Sequence, residues 1–110
     1  MIHINTVIIL GRMDFIALSE KLKAIADPTR LRILKLLPPT DTCELVYNVS
    51  ELAEELSVPQ PTASHHLKVL YNADLVKCRK TCRDVYYWID KERLDTVMKQ
   101  CAEISNFEIS

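Results

Sequence analysis

Apolar residues change their spacing several times along the chain, and each change marks a boundary. In residues 1–12, Ile2, Ile4, Val7, Ile8 and Ile9 crowd together ahead of the sole glycine, Gly11. Such a β-branched run suits a short strand or an extended arm. The alternative is an upstream extension, with the true start at Met13. We therefore divide the chain into residues 1–13, an arm or extension, and residues 14–106, one domain.

From Asp14 the period becomes three to four. Phe15, Leu18, Leu22 and Ile25 fall on one helical face, opposite Ser19, Glu20, Lys21 and Lys23. Asp27-Pro28 then supplies a helix start, because Asp accepts from the first free amides and Pro gives up a donor with no partner there. The second helix runs from Pro28 to about Leu37 and is expected to bury Leu31, Leu34 and Leu37, until Pro38-Pro39 stops it. Residues 38–43 read as a loop and Glu44–Tyr47 as a short strand.

Asn48, followed three residues later by Glu51, resembles a capping box. A third helix follows with Val49, Leu52, Ala53 and Leu56 inward. Ser57-Val58-Pro59 breaks it, and a fourth helix runs from Gln60 to about Asn72 with Ala63, Leu67 and Leu70 inward. Leu75–Lys80 and Val85–Ile89 form a hairpin around Thr81–Asp84. If Thr81-Cys82 are the central turn residues, Cys78 lies opposite Val85. A last helix, from Lys91 to about Ser105, carries Leu94, Val97, Met98, Cys101 and Ile104 on one stripe. Little core remains for that stripe to cover, so part of it is expected to bury against a second copy.

Two short helices joined by a three-residue break read as a helix-turn-helix. The plain alternative is a core helix with a solvated face. The outer face of the fourth helix argues for function: Gln60, Thr62, Ser64, His65 and Lys68 are hydrogen-bonding or cationic, with no carboxylate among them. A helix entering a groove lined by phosphates needs that character, since carboxylates repel the backbone while these groups pair with base edges or phosphate oxygens.

Charge sharpens this. The 110 residues carry 15 acidic and 14 basic side chains, a net charge of -1. Between Gln60 and Arg83, however, five basic residues (Lys68, Lys77, Arg79, Lys80, Arg83) face one acidic residue, Asp74, a local balance of +4. Between Pro39 and Leu56 there are five acidic residues and none basic, a balance of -5. The near-neutral total hides a dipole, and the cations of the hairpin suit a wing that grips phosphates.

Composition bounds the rest. At 48% hydrophobic and 26% charged, the chain matches an ordinary globular domain. Its longest apolar run, Val7-Ile8-Ile9-Leu10, falls far short of the roughly 20 residues of a membrane helix. No secretory pattern stands at the N-terminus, so a cytoplasmic location with reduced thiols and no membrane partner is expected. With its one glycine at position 11, the chain has no phosphate-cradling or oxyanion-type loop, and an enzyme is not expected.

Four blocks, Leu22-Lys-Ala-Ile-Ala-Asp-Pro-Thr-Arg-Leu-Arg-Ile-Leu34, Val49-Ser-Glu-Leu-Ala-Glu-Glu-Leu56, Gln60-Pro-Thr-Ala-Ser-His-His-Leu-Lys-Val-Leu70 and Val85-Tyr-Tyr87, closely resemble the ArsR family of winged-helix transcriptional repressors. The resemblance covers about residues 14–105 in order and spacing. It implies a mainly α winged helix-turn-helix with a small β-hairpin wing, working as a homodimer on a double-stranded DNA operator. Positions matching the family's DNA contacts are Gln60, Ser64 and His65, with Thr62 and Lys68 beside them, and Arg79, Lys80 and Arg83 in the wing. The first and last helices imply a dimer interface from Phe15, Leu18, Leu22, Leu94, Val97, Met98, Cys101 and Ile104.

The departures concern sensing. Where many relatives carry a Cys-Val-Cys metal box, this chain has Asn48-Val49-Ser50, and soft ions need thiolates. Where others bind zinc between paired last helices, it offers Lys91, Arg93, Glu103 and Ile104. The loop 38–43 is longer than the family norm, Thr81-Cys82 replaces the usual wing glycine, and Pro59 stands where Ser or Thr normally caps the recognition helix. No cofactor is required and no metal site is assigned. A thiol sensor built from Cys78 and Cys82, with Cys43, is the remaining route to a metal, metalloid or redox signal, while Cys101 reads as core. The competing functional class is a winged-helix protein-interaction module, which would show apolar anchors where Gln60, Thr62, Ser64 and His65 stand.

Overall fold

Most helices begin where the chain supplies a cap. The computed structural model describes residues 14–40 and 47–105. The arm at residues 1–13, the loop and strand expectations over residues 41–46, and Cys43 lie outside the described residues. Helix α1 (Phe15–Ile25) opens on Asp14, whose Oδ1 accepts from the Ala17 amide at 3.0 Å. Helix α2 (Pro28–Leu36) opens on Asp27, whose Oδ2 accepts from the Arg30 amide at 3.0 Å, with Pro28 at the first position. Helix α3 (Val49–Leu56) has the full capping box: Asn48 Oδ1 accepts from the Glu51 amide at 2.7 Å and Glu51 Oε1 from the Asn48 amide at 3.1 Å. Helix α4 (Gln60–Asn72) has no side-chain cap, because Pro59 occupies that place. After strands β1 (Val76–Lys80) and β2 (Val85–Ile89), helix α5 (Lys91–Ile104) is capped by Asp90, which accepts from the Arg93 amide at 3.2 Å.

The largest fully buried side chains are Ile33 of α2, Leu52 and Leu56 of α3, Leu67 and Leu70 of α4, Leu75 before β1, and Val97 of α5. Each is worth about 1.5–3 kcal/mol relative to exposure, and Leu18 of α1 and Val76 of β1 join the same core, so helices and hairpin alike are held by it. Leu31 departs from expectation. It is 52% exposed, and Ile33 takes its place inside. Apolar residues crowd both sides of α2, so periodicity alone does not choose the buried face; packing against α3 and α4 does.

The hairpin is antiparallel and pairs Val76 with Ile89, Cys78 with Tyr87 and Lys80 with Val85. Cys78 therefore stands opposite Tyr87, not Val85. Four residues, Thr81–Asp84, lie outside the ladder, where the Thr81 amide donates to the Asp84 carbonyl at 2.8 Å and Thr81 Oγ1 accepts from the Asp84 amide at 3.2 Å. The connection spans Thr81–Asp84 as expected, but it centres on Cys82-Arg83 and not on Thr81-Cys82, which moves the register. A bridge from Asn48 to Tyr86 and a hydrogen bond from the Ile89 amide to the Pro38 carbonyl at 2.8 Å tie the hairpin to the helical body. Among the described residues no helix is long and apolar enough to cross a membrane.

Candidate nucleic-acid interface

The break between α3 and α4 is made without glycine. Ser57 adopts the left-handed conformation, φ 57 and ψ 43, and its amide bonds back to the Glu54 carbonyl at 3.1 Å while Val58 bonds to Ala53 at 3.0 Å. That closes the end of α3 and turns the chain sharply enough for α4 to pack across α3.

Ala63, Leu67 and Leu70 then anchor α4 with no exposed surface at all. With the inner face fixed, helical geometry presents Gln60, Ser64, His65 and Lys68 to solvent, while Thr62 is half-buried at the margin. Strand β1 packs beside α4 and brings the wing with it. Lys77, Lys80 and Arg83 are exposed there, whereas Arg79 is half-buried. The expected stripe and the expected cations thus belong to neighbouring elements. Cations beside a carboxylate-free helix face can hold phosphates while short polar side chains reach base edges.

His66 points elsewhere. Its Nδ1 lies 3.0 Å from Nη1 of Arg30, and Arg30 Nε donates to the Ala24 carbonyl at 2.6 Å. The Arg30 amide, with its guanidinium nearby, holds the Asp27 carboxyl below its ordinary value, against the opposing effect of burial. Sequence spacing missed this cluster, since Arg30 and His66 are 36 residues apart. The only sequence hint is that both lie inside the blocks that carry the family resemblance.

The interface residues expected on α1 and α5 split into two groups. Leu18 and Val97 are buried within the protomer and belong to its own core. Phe15, Met98 and Ile104 are exposed, as is Ile16, which periodicity does not single out. Leu22, Leu94 and Cys101 are half-buried between the two groups.

The cysteines are likewise separated. Cys78 is half-buried, Cys82 exposed, and both are free thiols, as is Cys101. Cys78 sits next to Tyr87, whose hydroxyl is pushed up by burial and then by its Cys78 and Tyr71 neighbours. The pleat turns Arg79 to the opposite face of β1 from Cys78, so adjacency in sequence does not bring the two side chains together. At the position of the family's metal box, the Asn48 side chain is committed to capping α3. Amide and hydroxyl groups do not suit a soft ion, and the residues present do not fit one. Among the described residues no group of three or more His, Cys, Asp or Glu side chains is placed to hold a metal ion.

Comparison with known proteins places these features. The family described as "Bacterial regulatory protein, arsR family" matches residues 27–77, the span from the α2 cap to the start of the wing. An HTH-type transcriptional regulator of Methanocaldococcus jannaschii is 41% identical over 87 residues, covering 78% of this chain and 92% of that protein. The arsenical resistance operon repressor of Staphylococcus xylosus is 38% identical over 85 residues, covering 77% of each. The solved structure of an ArsR-like transcriptional regulator from a Rhodococcus species superposes with a TM-score of 0.72 at 25% identity, covering 84% of this chain and 80% of that one. With the helix-turn-helix, the hairpin wing and these relatives in agreement, the chain belongs to the ArsR family of winged helix-turn-helix transcription regulators.

Proposed function

We infer that this regulator is a homodimeric repressor that lays α4 in the major groove of a two-fold symmetric DNA operator. The observation that carries this reading is the division of α4: Ala63, Leu67 and Leu70 are wholly buried, which leaves Gln60, Ser64, His65 and Lys68 as a fixed, exposed stripe. Lys80 and Arg83 of the wing, with Lys77, then bind backbone phosphates, and half-buried Arg79 and Thr62 support the edges of the contact. Phe15, Met98 and Ile104 are the surfaces that meet a second copy, joined by Leu22, Leu94 and Cys101. A cytoplasmic location follows from work on DNA.

Selection of duplexes from a random-sequence pool tests the reading. The protein should enrich an inverted repeat, and binding to it should exceed binding to a scrambled duplex by roughly 10³-fold or more. Equal affinity for the two duplexes would favour the protein-interaction alternative.

Inducer sensing through thiols is the second part of the proposal. Cys82 supports it by its exposure at the wing tip between Lys80 and Arg83. Cys78, with Cys43, is the partner for an oxidant or a thiophilic ion. A variant carrying Cys78→Ser and Cys82→Ser should resist release from DNA by oxidant or arsenite, and release curves identical to the parent's would overturn the idea.

A further inference from the structure

Arg30 stands in the first turn of α2 and reaches two other helices. Its Nε donates to the Ala24 carbonyl at 2.6 Å and its Nη2 reaches the Lys23 carbonyl at 3.5 Å, so one edge of the guanidinium grips the last turn of α1. Its other edge meets Nδ1 of His66 in α4 at 3.0 Å. A guanidinium has donors only. The contact therefore requires Nδ1 of His66 to accept, which puts the ring proton on Nε2. Asp27 Oδ2 lies 4.0 Å from the same Nδ1, beyond hydrogen-bonding distance, and accepts instead from the Arg30 amide.

The C-terminal end of α4 is held from α1 as well, where Lys21 Nζ donates to the Ala73 carbonyl at 3.0 Å. Apolar packing alone lets a helix roll slightly about its axis, because Ala63, Leu67 and Leu70 offer no directional bond. A planar fork engaged with one ring nitrogen does not allow that roll. His66 is also the immediate neighbour of exposed His65, their rings 5.6 Å apart, so the rotation that satisfies Arg30 sets where His65 and Ser64 point.

We propose that Arg30 and His66 are positioning residues: the guanidinium, anchored on the end of α1, fixes the rotation of the recognition helix through Nδ1 of neutral His66. This rests on the DNA-binding reading above. It also ties α4 to the helix that carries Phe15 and Ile16, so the pairing face and the reading face share one rigid connection.

The test compares His66→Asn, His66→Gln and Arg30→Lys with the wild type. The Asn carbonyl takes the place of Nδ1, whereas the Gln carbonyl takes that of Nε2; Lys keeps the charge but loses the fork. Affinity is measured for the duplex enriched by the wild type and for a scrambled duplex, with circular dichroism confirming the fold. The ratio of the two affinities should fall roughly tenfold in His66→Gln and Arg30→Lys, the equivalent of about one misaligned base contact, and survive in His66→Asn. Imidazole nitrogen shifts should show His66 with a bare Nδ1 in the wild type. Should a variant fail to fold, the nitrogen shifts of the wild type and the remaining Asn–Gln contrast still decide. An Nδ1-protonated His66, or equal ratios in the Asn and Gln variants, overturns the proposal alone. Failure of the wild type to enrich any duplex overturns the DNA-binding reading and the proposal with it.

Discussion

Helices α4 and α5 are both amphipathic, and they use their apolar faces differently. In α4 the three inward residues leave no surface exposed, and the one large apolar side chain it does expose, Tyr71, lies in its last turn. In α5 only Val97 is buried to that degree, while Met98 and Ile104 of the same stripe remain 48% and 56% exposed. Phe15 and Ile16 of α1 repeat the pattern. The contrast separates two kinds of surface. A helix that has satisfied its core presents a polar face shaped for a hydrophilic partner, whereas a helix with apolar surface left over needs another apolar surface to cover it.

The largest expected effect comes from the surplus side of the comparison. Replacing both Met98 and Ile104 with Glu places charges on the pairing face and should convert the protein to monomers in sedimentation. Without the second half-site, operator binding should weaken by roughly 100- to 10,000-fold. A monomeric variant with parental affinity would break the link between pairing and DNA binding.

On the polar side the effects are smaller and selective. Ser64→Ala and His65→Ala should each reduce operator-over-random discrimination by about 1–3 kcal/mol, read by competition binding. Parental discrimination in both would show that the stripe is not the reading surface. Lys80→Ala with Arg83→Ala should weaken all duplexes alike and lower the slope of log affinity against log salt by about 0.9 for each phosphate no longer neutralised. An unchanged slope removes the wing from the interface.

The smallest effect lies between the two regions, at Asp27. Its carboxyl is lowered first by the Arg30 amide, so its stabilising contribution is fully present above the ordinary value of roughly 4 and is lost as pH falls through the lower folded value. Melting temperatures of Asp27→Asn should vary less with pH across that acid window than those of the parent. Parallel curves would mean that the cap carries no charge-dependent stability.

Helix α4 and the break before it were legible in the sequence because their determinants are local. Asn48 and Glu51 start α3, Ser57 and Pro59 mark the break, and only one face of α4 is apolar. The hairpin and its cations were legible in the same way, from the β-branched and aromatic run Val85–Ile89 and from the local charge balance. What escaped had non-local causes. In α2, apolar side chains on both sides left the choice between Leu31 and Ile33 to packing. In the wing, the Thr81 brace decided the register, which no strand pattern encodes. On α1 and α5, period alone placed Leu18 and Val97 with Phe15 and Met98, although the first pair fills the protomer's own core. The Arg30–His66 contact spans 36 residues and has no periodic signature.

Hydroxyl-radical footprinting of the enriched duplex tests most directly the claim that two copies of the α4 face read DNA. Two protected patches related by a dyad, with major-groove centres about 10–10.5 base pairs apart or a multiple of that, are the expected result. A single patch, or uniform protection that vanishes with added salt, would contradict it.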